Sequence, residues 1–140
     1  MNKPPIWFYI FSAVALLWNL IGAAAVGLDF TLTAEDIKLF PEAQQQMYAM
    51  RPIWAPFASV AAVGFGVIGC LGLLLKQSWA KISFILSIVG LVLQDIALFF
   101  FMDAATLVGA GVLIIQGLVF LIAVGLFFLS VTAEKNGWIK

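Results

Sequence analysis

Four polar side chains lie inside long apolar runs of the 140-residue chain: Asn19, the adjacent pair Gln94 and Asp95, and Gln116. An ionisable group in hydrocarbon is costly, so an intramembrane carboxyl such as Asp95 marks a site for a proton, a cation or a polar solute unless its neighbours receive it. No Lys or Arg falls at its depth to pair with it, which favours a neutral, hydrogen-bonding carboxylic acid. Counting at ~1.5 Å per residue along helices of alternating direction, Asn19, Gln94, Asp95 and Gln116 all fall ~4 Å to one side of the bilayer centre. That convergence supports two readings. In one, the four hydrogen-bond to one another and fix helix register, at ~0.6 kcal/mol per contact. In the other, they build a ligand- or ion-binding cavity that opens to the outer side.

Other chemistry is excluded by composition. With no histidine and a single cysteine, Cys70, the chain has no imidazole metal site, no Cys-His pair and no intramolecular disulfide. Neither a metal nor a cofactor is expected. Cys70 lies in an apolar segment and reads as a small hydrophobe. The segment GFGVIG, with Gly64, Gly66 and Gly69, matches the G-x-G-x-x-G of dinucleotide-binding sites, but it sits mid-helix with no preceding strand, so its glycines are packing residues. A lone carboxyl without nucleophile, metal or cofactor box makes no recognisable mechanism, and the chain is not expected to be an enzyme. Seven basic against seven acidic residues leave no basic surface for nucleic acid.

The elements that must position these side chains follow from hydropathy. At 64% hydrophobic and 10% charged residues, the chain belongs in lipid. Four apolar segments, 6–28, 53–75, 82–102 and 107–131, are each long enough to cross a ~30 Å hydrocarbon core. Lys3, the first run and Ala23 to Ala25 could imitate a secretory signal, but that run is longer than a signal core and reads as a retained first helix. The short links after the second and third segments force antiparallel neighbours. The expected fold is therefore a single-domain, all-α integral membrane bundle of four transmembrane helices running up-down-up-down.

Lys3, Lys76, Lys81, Lys135 and Lys140 share one side, against Lys38 and Arg51 on the other, which places both termini in the cytoplasm. The loop 29–51 reads as two short helices: Thr33 with Asp36 starts one, and Pro41 starts the second, ending at Met50. It is expected either to lie as a lid on the outer face of the bundle or to be an interfacial connector with no gating role, with Arg51 and Asp103 placed to form an ion pair. Small residues mark the packing faces: Ala55, Ser59, Ala62, Gly66 and Gly69 on the second helix, and Ser83, Ser87, Gly90, Gln94 and Ala97 on the third.

Trp18-Asn19 with Gly22, the run Leu39-Phe40-Pro41-Glu42-Ala43 followed by Tyr48, Pro52 and Trp54, Gly69 to Leu75 leading to Trp79, and Gln94 together resemble a group of small bacterial four-helix membrane proteins, members of which are often labelled sugar transporters. The resemblance implies a bacterial inner-membrane protein. It does not extend to Asp95. The expected activity is that of a small transporter or channel-like protein with a polar cavity around Asp95; the alternative is a non-catalytic accessory subunit of a larger membrane complex. Expected partners are membrane lipids and either further copies of the chain or a partner membrane subunit, since four short helices enclose little volume.

Overall fold

A computed structural model describes residues 3–140, and among them the chain is helical throughout, without strands. Four helices are long and apolar enough to span a membrane: α1 (Ile6–Phe30), α4 (Ala55–Leu74), α5 (Ala80–Ile96, continued by a π-helical turn Ala97–Phe101) and α7 (Gly111–Lys135). Shorter helices fill the connections, with α2 (Ala34–Ile37) and α3 (Glu42–Met50) between α1 and α4, and α6 (Ala104–Val108) before α7. The protein is a multi-pass, all-α membrane protein. The start of α1, the C-terminal residues and the α4–α5 turn lie at one end of the bundle, the terminal end; the 31–54 connection lies at the other, the loop end.

The small-residue faces bring α4 and α5 together at the centre. A Cβ built on Gly90 would stand 2.7 Å from the Ala62 nitrogen and 2.9 Å from the Ala58 oxygen, so the two backbones meet where only glycine fits. One turn toward the terminal end, Ser87 Oγ donates to the Ala62 carbonyl at 2.6 Å, a cross-helix bond shielded from water. Gly69 receives the Phe84 ring and Gly72 receives Ala80. α1 packs on the other side of α4, and α7 packs on α5. The consequence is a central pair with two outer helices: in their most apolar stretches, 39% of α4 and 28% of α5 is buried, against 11% of α1 and 6% of α7.

The terminal end is closed by the last residues. Gly137, at φ 74°, reverses the chain after α7, and the Trp138 N–H returns to the Ala133 carbonyl at 2.8 Å. Trp138 then meets Trp7 and Phe8 edge to face, with ring centroids 5.6 Å apart in both pairs. The Lys140 N–H donates to the Lys76 carbonyl at 3.0 Å and its own carbonyl accepts from Ser78. A core of Phe8, Cys70, Leu73, Phe84 and Leu126 lies directly above.

Two boundaries differ from the hydropathy reading by more than two residues. The last span begins at Gly111 rather than 107 because Gly109, at φ 94° and ψ −178°, breaks the helix after α6. It ends at Lys135 rather than 131 because amphipathic Thr132 to Lys135 continue the helix past the apolar stretch. In the connection, Thr33 and Asp36 form a reciprocal capping box, and Pro41 takes the cap position of α3 rather than its first turn.

Candidate binding cavity

A cavity of about 320 Å³ lies between the four spanning helices. Asn19 of α1, Gln94 of α5 and Gln116 of α7 line it together, with Ser59, Ala62 and Gly66 of α4 as its back wall. None of its lining residues is ionisable in the physiological range. Phe84 and Leu126, almost wholly buried, close it toward the terminal end.

Each amide is held differently. Asn19 Nδ2 donates to the Ala15 carbonyl one turn back at 2.9 Å and meets Cys70 Sγ at 3.6 Å. Its Oδ1 occupies the place a Cβ on residue 66 would take, so Gly66 is the notch in α4 that seats the Asn19 head. On α7 the Gln116 Oε1 is buried and has no hydrogen-bond partner. An acceptor left in that state costs ~1–3 kcal/mol, so the arrangement is built at the expense of stability. Among the described residues, no hydrogen bond joins Asn19, Gln94, Asp95 and Gln116 to one another. The mutual hydrogen bonds that one of the two readings gave these four side chains are therefore not formed.

Asp95 does not line the cavity. Its neighbour Gln94 does, the two side chains standing ~100° apart round the helix. Asp95 falls one turn beyond Leu91, which joins Ala62 and Ala123 in a buried cluster. Its Oδ1 is buried without a partner, and the π-helical turn begins two residues later.

The connection between α1 and α4 contributes no cavity-lining residue, and α3 packs on α6 at the loop end. It is tied down by a clasp: the Tyr48 hydroxyl donates to Asp29 Oδ1 at 2.9 Å, Arg51 Nη1 reaches Asp29 Oδ2 at 2.6 Å, and the Arg51 guanidinium lies 4.9 Å from the Tyr48 ring centroid. The expected Arg51–Asp103 pair gives way to this one. Asp29 ends α1 beside Arg51, whereas Asp103 is exposed in a left-handed turn at φ 53°. Burial first, and then the hydrogen bond to Asp29, push the Tyr48 phenol above its ordinary value.

Three further residues belong to the cavity. Ser59 and Ser87 were visible only as members of packing stripes, and Ser87 spends its proton on Ala62. Trp18 lines the rim, and its signal was positional: a tryptophan near mid-span is out of place for a side chain that favours bilayer interfaces. Compared with protein-family models, curated proteins and solved structures, the chain matches none.

Proposed function

We propose that the protein is a small solute-binding membrane protein of transporter type, with Asn19, Gln94 and Gln116 as the polar contacts of its site. The observation that supports this reading most strongly is the buried, unpartnered Gln116 Oε1 beside a cavity shared by three amide-bearing helices. A structural polar belt would satisfy its own members; a binding site keeps donors and acceptors in reserve for a ligand. The absence of charge among the lining side chains suits an uncharged solute. Asp95, outside the cavity wall, is removed from the ligand set.

The lysine asymmetry supports cytoplasmic termini, with the loop end outward; the resemblance carried by Trp18-Asn19 and Leu39 to Ala43 supports a bacterial inner membrane. The sparsely buried outer faces of α1 and α7 favour one second reading, an accessory subunit docked on a larger complex. The test is thermal melting of the purified chain in nanodiscs, with and without fractionated neutral extract of the source membrane. A saturating rise in Tm that vanishes in Asn19→Leu/Gln116→Leu supports solute binding. No shift with any fraction, together with a stoichiometric foreign subunit in the purified material, overturns it in favour of the accessory reading.

A further inference from the structure

Resting on that reading, we infer that the cavity takes its ligand sideways from the bilayer, through a mouth between α1 and α7, and that the ligand is an uncharged amphiphile carrying a hydroxyl or carbonyl group. The mouth is located by its rim. Trp18 and Ile21 line the cavity and are also 41% and 62% exposed. They are the thirteenth and sixteenth of the 25 residues of α1. At ~1.5 Å per residue they stand about 18 and 23 Å along the helix, within the depth of a ~30 Å hydrocarbon core. A surface exposed at that depth meets acyl chains, not water.

The opposite rim comes from Val119 and Ile122 of α7. Among the described residues, α1 packs on α4 and α7 on α5 without extended packing of α1 on α7, their common contacts gathering at the terminal end around Trp138. The seam is thus closed at its base and open above Phe84 and Leu126. A solute arriving this way crosses no aqueous vestibule, so it must already be dissolved in lipid. A net charge would find no counter-charge on the walls.

Inside, the polar groups determine the head. Gln116 Oε1 is an acceptor without a donor, which a ligand hydroxyl can satisfy. Amide N–H groups of the same walls can donate to a carbonyl. The volume, about 320 Å³, corresponds to roughly ten water-sized units at ~30 Å³ each. That admits a ring or a short branched head with its tail trailing through the mouth, and excludes a whole diacyl lipid.

The experiment uses the full chain in nanodiscs and three photoreactive probes that share one alkyl chain with a diazirine near the head: a primary alcohol, a carboxylate and a trimethylammonium. The alcohol should label the region of Trp18, Ile21 and Val119 saturably, and competition by unlabelled alcohol should remove the signal. The two ions should label only the helix ends. Gln116→Leu should weaken cavity labelling roughly tenfold, the loss of one hydrogen bond. Uniform, unsaturable labelling of the exposed faces of α1 and α7 by all three probes overturns the lateral route, and this comparison needs no variant to fold.

A second arm separates this inference from the reading beneath it. Gln116→Cys in a Cys70→Ala background is exposed to a water-soluble, sulfonate-bearing thiosulfonate, which reacts with thiolate and therefore requires water in the cavity. Slow modification with saturable alcohol labelling is expected. Rapid modification without alcohol labelling overturns the lateral route and leaves an aqueous solute site. Failure of both reagents overturns the lateral route and the binding cavity together.

Discussion

Gln116 is the residue at which structural and functional roles make opposite demands. If it were a register-fixing group, replacing it would destabilise the bundle. Because its Oε1 is buried without a partner, Gln116→Leu should instead stabilise the ligand-free protein by ~1–3 kcal/mol while weakening binding roughly tenfold. Thermal melting without ligand checks the sign, and a lower Tm would return Gln116 to a structural role. The glycines provide a graded companion. At Gly90 an added methyl meets α5's neighbour at backbone atoms, which cannot yield, so Gly90→Ala should cost ~3 kcal/mol, the upper range of overpacking. At Gly66 it meets only the Asn19 side chain, so Gly66→Ala should cost less, and Asn19→Ala should recover ~0.5 kcal/mol or more in a double-mutant cycle. Gly64 has open space around it, and Gly64→Ala should leave stability unchanged or raised. Equal losses at positions 64, 66 and 90 would contradict this packing.

At the scale of elements, the α4–α5 pair was legible in sequence because small residues at helical spacing are the one signature that close packing leaves in an apolar chain. Ala62, Ser87 and Gly90 meet where the stripes placed them. Rotation about the helix axis was less legible. Gln94 and Asp95 are adjacent, and hydropathy cannot tell which of two neighbouring polar residues faces the cavity; the packing of the four helices puts Gln94 in its wall and leaves Asp95 out. The loop was legible as two helices because capping chemistry is local, but the Asp29–Tyr48–Arg51 clasp was not, since it joins residues 19 and 22 positions apart. Charge-assisted bonds of this kind contribute ~1.5–3 kcal/mol, so Asp29→Ala should speed amide exchange across α3 without altering the cavity.

The clasp also carries a pH sign. The Tyr48 phenol is raised in the folded protein, so its contribution is complete below the unfolded value of 10.0 and is lost only as pH rises beyond it. Tyrosinate absorbance in a Tyr9→Phe background should therefore titrate above free tyrosine, and higher still in Arg51→Gln, because the guanidinium opposes the shift. Titration at or below the free value would mean that Tyr48 is not held against Asp29.

For the molecule as a whole, composition determined class and topology with little ambiguity, because a bilayer permits few ways to satisfy a backbone. What composition could not convey is that the bundle is unevenly closed: sealed by Trp138 and Phe8 at the terminal end, and open between α1 and α7 at the level of Asn19 and Gln116. That asymmetry arises from contacts between the two ends of the chain, to which periodicity within a segment is blind. It is the ground for proposing a lipid-facing cavity rather than an outward vestibule around Asp95. The most direct measurement is native mass spectrometry of the chain released from source-membrane nanodiscs. A single small, neutral, non-peptide adduct at one per chain is expected, present in wild type and lost in Asn19→Leu/Gln116→Leu while the bundle remains folded. An adduct-free wild-type chain, or an adduct retained at full occupancy in the double variant, would contradict it.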